Sequence, residues 1–213
     1  MVEGILFIGG KSPKKSKIES LIEKASYIVA ADSGYDYARK NGIIPDMVVG
    51  DMDSIQNPDV LKNLPETKIK RYDRDKDKTD TELGLDILWK WGTTRITIIG
   101  GGGGRLDHLF GLFTLFERDK HPFQWFTHRS RVIHIDTFLS LKVEKGETLS
   151  FFPIGETRSE MTSEGLKWSL DSICWNRGDM GLSNEAMKNV ITVTMKKGRL
   201  LLIKEIGREH IIE

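Results

Sequence analysis

The chain has 213 residues and a formal net charge of +1, and 38% of its residues are hydrophobic and 30% charged. A length of this order allows one large domain or two small ones, and 9 Phe and 5 Trp exclude a disordered chain. The balanced charge excludes a strongly basic nucleic-acid-binding protein, and the single cysteine, Cys174, excludes an intrachain disulfide and a cysteine-rich zinc site.

The first 128 residues alternate between short apolar runs and helical patterns. Ser16 with Glu19 and Thr79 with Glu82 have the spacing of capping boxes, which predicts that helices begin there. Strands and helices in alternation favour a parallel sheet covered by helices. The predicted strands are 5–8, 27–31, 47–49, 67–71, 95–99 and 123–127, and the predicted helices are 16–25, 35–40, 58–63, 79–91 and 106–118.

The pattern changes after about residue 128 to short β runs separated by turns such as Lys145-Gly146-Glu147. A helical period of useful length is absent from this half. We therefore predict an α/β domain over residues 1–128 and an all-β domain, a sandwich or a barrel, over residues 129–213. The predicted strands of the second domain are 132–135, 139–143, 148–152, 190–195 and 200–204.

Polar or glycine-rich loops follow four of the predicted parallel strands. The carboxyl ends of parallel strands lie at one edge of a sheet, where open α/β sheets bind ligands, so these loops are expected to converge. The loops are Asp32-Ser33-Gly34, residues 50–54, residues 73–80, and the five glycines 100–104 followed by Arg105-Leu106-Asp107-His108.

Clustered carboxylates at that edge predict a cation. Asp51 and Asp53 can aim at one point from an extended segment, and Asp77 and Asp80 lie in the next acidic loop. Carboxylates repel each other unless a hard cation such as Mg²⁺ lies among them, and Mg²⁺ favours a phosphorylated ligand. The glycine run offers backbone N–H groups to an anion, and Arg105 and Lys76 can neutralise further phosphate charge. The pattern indicates a Mg²⁺–nucleotide site.

Each of these features also has a purely structural interpretation. The glycine run can be a flexible turn, the loop 73–80 a solvated charged loop, and His108 an ordinary cap. Thr79 is fully explained as a helix cap, and Gly10-Lys11-Ser12 is only a weak match to the end of a Walker loop. The remaining histidines show no metal-ligand spacing and are interpreted as structural; they are His121, His128, His134 and His210.

Six motifs in order carry a resemblance to a known family. The chain resembles the thiamine pyrophosphokinases between about residues 27 and 186. The motifs are Ala31-Asp32-Ser33-Gly34, Pro45-Asp46 leading into Gly50-Asp51-Met52-Asp53-Ser54, residues 75–82, Gly104-Arg105-Leu106-Asp107-His108, residues 164–170 and Gly181-Leu182-Ser183-Asn184-Glu185.

The resemblance implies transfer of the pyrophosphoryl group of ATP to the hydroxyl of thiamine, giving thiamine diphosphate and AMP. It also implies an N-terminal α/β nucleotide domain, a C-terminal β-sandwich, and a homodimer that holds thiamine between subunits. By position, the implied catalytic residues are Asp51, Asp53, Asp77 and Asp80, with Asp51, Asp53 and Asp80 holding Mg²⁺. The implied nucleotide-binding residues are Asp32, Lys76, Thr79, Gly104, Arg105, Asp107 and His108, and the implied thiamine-binding residues are Trp168, Ser183 and Asn184.

Two alternative functions use the same loops. One is a related diphosphokinase acting on another alcohol such as 6-hydroxymethylpterin, and the other is a non-catalytic nucleotide-binding protein. The first residues lack the pattern of a signal peptide, and no apolar run approaches the roughly 20 residues of a membrane span. We therefore expect a cytoplasmic protein with no nucleic-acid or membrane partner.

Overall fold

The computed structural model describes residues 1–156, 158–171 and 174–207. These residues form two compact units. The first contains Met1–Leu112 and Pro122–Arg129, and the second contains Phe113–His121 and the chain from Ser130 onward. His210, one of the histidines interpreted as structural, lies outside the described residues.

A parallel sheet forms the centre of the first unit. Its strands are β1 (Glu3–Phe7), β2 (Tyr27–Ala31), β3 (Met47–Gly50), β4 (Ile69–Arg71), β5 (Arg95–Ile99) and β6 (Gln124–Phe126). They pair in parallel in the order β6–β5–β1–β2–β3–β4, which confirms the predicted parallel α/β fold. The chain winds in one direction from β1 to β4 and in the other through β5 and β6. The strand order therefore reverses between β1 and β5, the kind of position where α/β sheets bind ligands.

The central strands are apolar on both faces, as expected of a sheet covered by helices. Leu6, Val29 and Ile98 are fully buried in β1, β2 and β5. The helices are α1 (Glu19–Lys24), α2 (Gly34–Lys40), α3 (Asp80–Lys90) and α4 (Leu106–Thr114), with 3₁₀ turns at Lys15–Lys17, Pro58–Asn63, Glu66–Lys68 and Leu115–Glu117. Among the described residues, no helix is both long and apolar enough to cross a bilayer.

The two capping boxes have different outcomes. The box at Thr79 is confirmed, because Thr79 N donates to Glu82 Oε2 at 2.9 Å and Glu82 N donates to Thr79 Oγ1 at 3.3 Å. The box at Ser16 is wrong, because Ser16 lies inside a 3₁₀ turn and α1 begins only at Glu19 without a side-chain cap. The N-cap position is taken by Ile18, whose side chain is fully buried, so core packing overrides the local capping preference.

The second unit contains two antiparallel sheets. Their strands are β7 (Ser130–Ile135), β8 (Phe138–Lys142), β9 (Thr148–Ile154), β10 (Ser159–Glu164), β11 (Cys174–Trp175), β12 (Gly181–Glu185), β13 (Val190–Lys197) and β14 (Arg199–Glu205). The orders are β12–β9–β14–β7 and β11–β10–β13–β8. Fully buried Phe151 and Leu202 come from the first sheet, and Ile191 and Val193 from the second, as in the two layers of a sandwich. The predicted all-β character is confirmed.

Candidate active site

Carboxylates from three loops meet at the carboxyl edge of the parallel sheet. Asp32 directly follows β2, Asp51 directly follows β3, and Asp80 is the first residue of α3. One carboxylate oxygen of each lies within 4.8 Å of the others, and all three side chains are partly buried. We call Asp32, Asp51 and Asp80 the acidic cluster. Within the described part of the chain, Asp53 and Asp77 are exposed and do not join it.

The backbone conformation around the acidic cluster allows its carboxylates to come close together. Asp32 has a left-handed backbone with φ of 45°, and its Oδ1 accepts a hydrogen bond from Met52 N at 3.3 Å. Gly50, with φ of 141°, lies beneath the carboxylates. A Cβ at Gly50 would overlap Asp32 Oδ1 and come within 3.2 Å of Asp80 Oδ1. Glycine at position 50 therefore leaves the space in which the two carboxylates meet.

The surroundings of the carboxylates change the pKa values of Asp32 and Asp51. Burial, followed by contact with the Asp80 carboxyl, raises the pKa of Asp32 to about 7. The pKa of Asp51 is lowered because the backbone N–H of Asp53 donates to its Oδ1 at 3.1 Å. Asp80 Oδ1 is buried, and Lys76 Nζ lies 3.1 Å from it. The acidic cluster therefore contains one carboxyl group that resists ionisation and one buried carboxylate oxygen that lies beside a cation.

Lys76 supplies a positive charge at the acidic cluster. Its Nζ lies 3.1 Å from Asp80 Oδ1, with 16% of the Lys76 side chain and 19% of the Asp80 side chain exposed. Burial opposes the charged form of Lys76, but its interactions with Asp80, Asp51 and Asp32 raise its pKa overall. Lys76 therefore offsets part of the negative charge in the absence of a metal ion.

The glycine run follows β5 and is held against the loop after β1. Gly101 N donates to Gly9 O at 2.6 Å, Lys11 N donates to Gly102 O at 2.6 Å, and Gly102 N donates to Lys11 O at 3.1 Å. A Cβ at Gly102 would overlap His128 Nδ1. These contacts hold the first part of the run at the point where the strand order reverses, between β1 and β5. The last glycine, Gly104, is open, because no atom lies within 4 Å of a Cβ placed there.

Lys11 and His128 were not among the predicted site residues, although both frame the glycine run. His128 N donates to Lys11 O at 3.2 Å, and His128 Nδ1 is buried without a hydrogen-bond partner among the described residues. Burial lowers the pKa of His128. The sequence signal for Lys11 was the weak Gly10-Lys11-Ser12 match, whereas nothing in the sequence indicated His128.

Three predicted nucleotide-binding residues form one exposed group at the start of α4. Arg105 Nη2 lies 2.5 Å from Asp107 Oδ2 and Arg105 Nε lies 3.1 Å from Asp107 Oδ1, so the pair is bidentate. His108 N donates to Asp107 Oδ1 at 3.0 Å. The interaction with Arg105 lowers the pKa of Asp107. This exposed guanidinium is suited to a charged ligand at the end of the glycine run.

The predicted thiamine-binding residues form a local cluster in the second unit. Asn184 Oδ1 accepts from Trp168 N at 3.2 Å and Asn184 Nδ2 donates to Trp168 O at 2.7 Å, while Asn184 itself is 4% exposed. Trp168 is 56% exposed, and Lys167 Nζ lies 4.8 Å from its ring centroid. Ser183 is exposed, with φ of 58°. Asn184 therefore positions Trp168, and the indole and Ser183 are open to a ligand.

Comparison with known proteins identifies the family. Residues 18–124 match the family model described as thiamin pyrophosphokinase, catalytic domain, and residues 132–200 match thiamin pyrophosphokinase, vitamin B1 binding domain. A thiamine pyrophosphokinase of Bacillus subtilis (strain 168) is 30% identical over 185 residues, which cover 83% of this chain and 86% of that protein. The chain belongs to the thiamin pyrophosphokinase family.

Solved structures agree with this assignment. The thiamin pyrophosphokinase of Geobacillus thermodenitrificans is 26% identical with a TM-score of 0.76, covering 98% of this chain and 99% of that one. The Bacillus subtilis structure, at 24% identity, shares the fold with a TM-score of 0.81 over 96% of this chain and 100% of that one. The function predicted from the sequence, thiamine pyrophosphokinase, a transferase, is confirmed.

Proposed function

We propose that the acidic cluster binds Mg²⁺ together with the polyphosphate of ATP while the pyrophosphoryl group passes to the hydroxyl of thiamine, leaving AMP. The observation that carries this proposal is the meeting of Asp32, Asp51 and Asp80 within 4.8 Å at the carboxyl edge of the sheet. In this reading residues 1–128 bind ATP and residues 129–213 bind thiamine, and a cytoplasmic location remains a prediction from the sequence.

The residues present suit a hard divalent cation. The acidic cluster offers only oxygen ligands, and the charge of the buried Asp80 carboxylate is offset only in part by Lys76. When bound, Mg²⁺ would neutralise charge on the polyphosphate that is transferred. Asp51 and Asp80 were predicted as ligands, and Asp32 is added because its carboxylate lies in the same group. Asp53 remains a predicted ligand from its exposed position beside Asp51.

Lys76 and Arg105 are proposed to contact phosphate oxygens. Lys76 is paired with Asp80 and can turn toward a phosphate when a metal ion takes over that carboxylate. Arg105 is exposed at the start of α4 with Asp107 and His108, and the glycine run before it offers backbone N–H groups. Pyrophosphoryl transfer depends mainly on such positioning and charge neutralisation.

Asp77 is proposed as the general base. Asp80 is partly buried and paired with Lys76, which favours a ligand role for it. Asp77 is exposed in the same loop, where an incoming alcohol can approach its carboxylate.

Trp168, Ser183 and Asn184 are proposed to form the thiamine side of the site, contributed by the partner subunit of a homodimer. The exposed indole suits stacking on the cationic ring of thiamine. Lys167 lies over the indole ring of Trp168 and forms an ion pair with Glu185 at 2.9 Å. Bound thiamine would therefore take the place of the Lys167 ammonium group over the indole.

The proposal is tested with the purified chain, ATP, MgCl₂ and thiamine, following AMP and thiamine diphosphate by chromatography. We expect the two products in equal amounts. Asp51→Asn and Asp53→Asn should each lose Mg²⁺-dependent turnover while remaining folded, because each removes a charged metal ligand. Asp59→Asn is the matched control, since Asp59 is an exposed aspartate that pairs with exposed Lys62.

Several outcomes would contradict the proposal. Formation of ADP and thiamine monophosphate would overturn pyrophosphoryl transfer. Full activity in Asp51→Asn would show that the acidic cluster does not bind the metal ion. Turnover of 6-hydroxymethylpterin with none of thiamine would favour the related diphosphokinase, and bound ATP without turnover would favour a binding protein.

A further inference from the structure

Two histidines and a carboxylate form a second cluster, outside the residues that the proposed function uses. His121 ends the segment Phe113–His121 of the second unit, His134 lies on β7, and Asp136 follows that strand. One ring nitrogen of each histidine and one oxygen of Asp136 lie within 4.8 Å of one another. The sequence interpretation of these histidines as merely structural missed this grouping, because they meet only in the folded chain.

The two imidazole rings face each other closely. Their centroids are 3.7 Å apart, and the ring planes are inclined by 32°. One nitrogen of each ring lies within 4.8 Å of the other and of the Asp136 carboxylate, close enough for the side chains to share a ligand. His134 is only 3% exposed, and its Nε2 has no hydrogen-bond partner among the described residues. A buried polar atom left unpaired is costly, so a further group that binds His134 Nε2 would be favourable.

The protonation state of His134 suits a metal ligand. Burial, and after it the neighbouring His121, lowers the pKa of His134 to about 3. The imidazole is therefore neutral at physiological pH, and the neutral form is the one that binds metal ions. Arg199 of β14 also lies near and disfavours further positive charge. Its guanidinium donates to Arg118 O at 2.9 Å and to Glu117 O at 3.0 Å, and the carboxylate of Asp136 offsets it.

We propose that His121, His134 and Asp136 bind a divalent transition-metal ion, with Zn²⁺ as the best fit. Two imidazoles and one carboxylate are a frequent zinc ligand set, with water in the fourth position. Nitrogen ligands select such ions over Mg²⁺, which prefers oxygen alone. Ligand atoms around a tetrahedral zinc are about 3.3 Å apart, given bond lengths of about 2.0–2.1 Å. The ligand atoms, within 4.8 Å of one another, need a modest closure to reach this spacing, and rotation of the exposed Asp136 can supply part of it.

The consequence of binding would be structural. The ion would tie the segment that ends at His121 to β7, two parts of the second unit that are distant in sequence. A ligand that binds only the folded state raises stability by mass action. The site is independent of the Mg²⁺–ATP chemistry, so its failure and that of the proposed function are distinguishable.

The test uses the full chain carrying Asp51→Asn throughout, so that zinc binding to the acidic cluster is weakened equally in all samples. Zn²⁺ affinity is measured by competition with a chromophoric chelator, and Co²⁺ is added separately to record its visible absorption. We expect one Zn²⁺ per chain and a four-coordinate Co²⁺ spectrum. His121→Ala and Asp136→Asn should each lower Zn²⁺ affinity at least tenfold and remove the Co²⁺ band.

His108→Ala is the matched control, since His108 is exposed in the first unit, and it should bind like the parent. His121→Ala and Asp136→Asn are used in preference to a change at His134, because a substitution in the core can unfold the chain. Unchanged Zn²⁺ affinity in His121→Ala and Asp136→Asn, an equal loss in His108→Ala, or no stoichiometric Zn²⁺ in the parent would each overturn the proposal.

Discussion

Three non-glycine residues among those described have a left-handed backbone, and all three lie in predicted site segments. They are Asp32 with φ of 45°, Met52 with φ of 67° and Ser183 with φ of 58°. A left-handed backbone costs a non-glycine residue roughly 1–2 kcal/mol. Such strain persists only where the surrounding structure imposes it, and it is frequent in binding sites. At Asp32 and Met52 it directs the carboxylate of Asp32 and the amide that holds it into the acidic cluster.

Asp32→Asn should stabilise the metal-free protein. The folded-state pKa of about 7 lies above the unfolded value of 3.8, so the folded chain holds a proton that the unfolded chain loses. Wild-type stability contributed by this group is therefore lost as pH rises from about 4 to about 7, and the variant avoids that loss. We expect a gain of about 2 kcal/mol in the free energy of unfolding at pH 8, measured by urea denaturation in EDTA.

The same measurement at pH 5 is the control for Asp32→Asn. The gain in the free energy of unfolding over wild type should be clearly smaller at pH 5 than at pH 8. A stability gain that does not depend on pH would show that it comes from relief of steric crowding rather than from the loss of an ionisable group. A variant less stable than wild type at pH 8 would contradict the raised pKa.

Trp168→Ala should raise the KM for thiamine with little change in the KM for ATP. A cation–π contact of about 0.5–2 kcal/mol corresponds to a rise of roughly two- to thirtyfold. Trp168→Phe keeps an aromatic face and should recover most of the affinity. Steady-state kinetics with each substrate varied in turn provides the measurement, and equal rises in both KM values would argue against stacking on thiamine.

At the scale of the secondary-structure elements, apolar and capping patterns carried most of the information. The strands Tyr27–Ala31 and Arg95–Ile99 have the predicted bounds, because their side chains form continuous apolar runs. The sequence analysis missed β10, β11 and β12. In β10, Ser159 and Met161 are buried among polar residues, and β12 contains an irregularity between Gly181 and Asn184, so neither has a regular apolar period. The formation of β10, β11 and β12 depends instead on hydrogen bonding to neighbouring strands.

Thr79→Ala tests the start of α3. Loss of the Thr79 side chain removes the acceptor for Glu82 N and leaves Glu82 without its hydroxyl partner. We expect a loss of about 1 kcal/mol in the free energy of unfolding, measured by urea denaturation. Because Asp80 is the next residue, turnover should also fall through misplacement of its carboxylate.

Thr79→Ser is the control for this element, since it keeps the hydroxyl that caps α3. It should retain both stability and turnover. If Thr79→Ala were as stable as wild type, the capping box would contribute nothing, and if Thr79→Ser lost activity, the methyl group would be the part that matters.

At the scale of the whole molecule, the candidate site could be predicted only as a set of loops. Strand alternation placed the four loops at one edge, and the structure brings Asp32, Asp51 and Asp80 together there. The place of Asp32 in this group depends on the adjacency of β2 and β3, and the order of strands cannot be read from one sequence. The positions of His121 and His134 depend in the same way on contacts between distant segments.

Two impaired variants should restore activity to each other if the site is shared between subunits. In the proposed arrangement, Asp51→Asn would damage the nucleotide side and Trp168→Ala the thiamine side, so a mixed dimer would have one intact site. Random mixing gives half mixed dimers and hence about one quarter of wild-type activity. The variants are refolded together and assayed at a low thiamine concentration, and recovery is the activity of the mixture above the mean of the two variants assayed alone.

A mixture of Asp51→Asn with Asp80→Asn is the control, because both changes lie in the same unit and no combination restores a site. Sedimentation of the wild-type chain should show a dimer. A dimer without recovery of activity in the first mixture would locate the whole site within one subunit.

The ion pair between Lys76 and Asp80 has a consequence for how the chain responds to magnesium supply. The ammonium group of Lys76 offsets part of the repulsion between the carboxylates, so we expect the chain to fold without a metal ion. If the acidic cluster binds Mg²⁺ as proposed, the ion would arrive and leave with the nucleotide. A cell short of magnesium would accordingly retain its full complement of this protein in an idle form, and activity would return as soon as the ion did, without new synthesis.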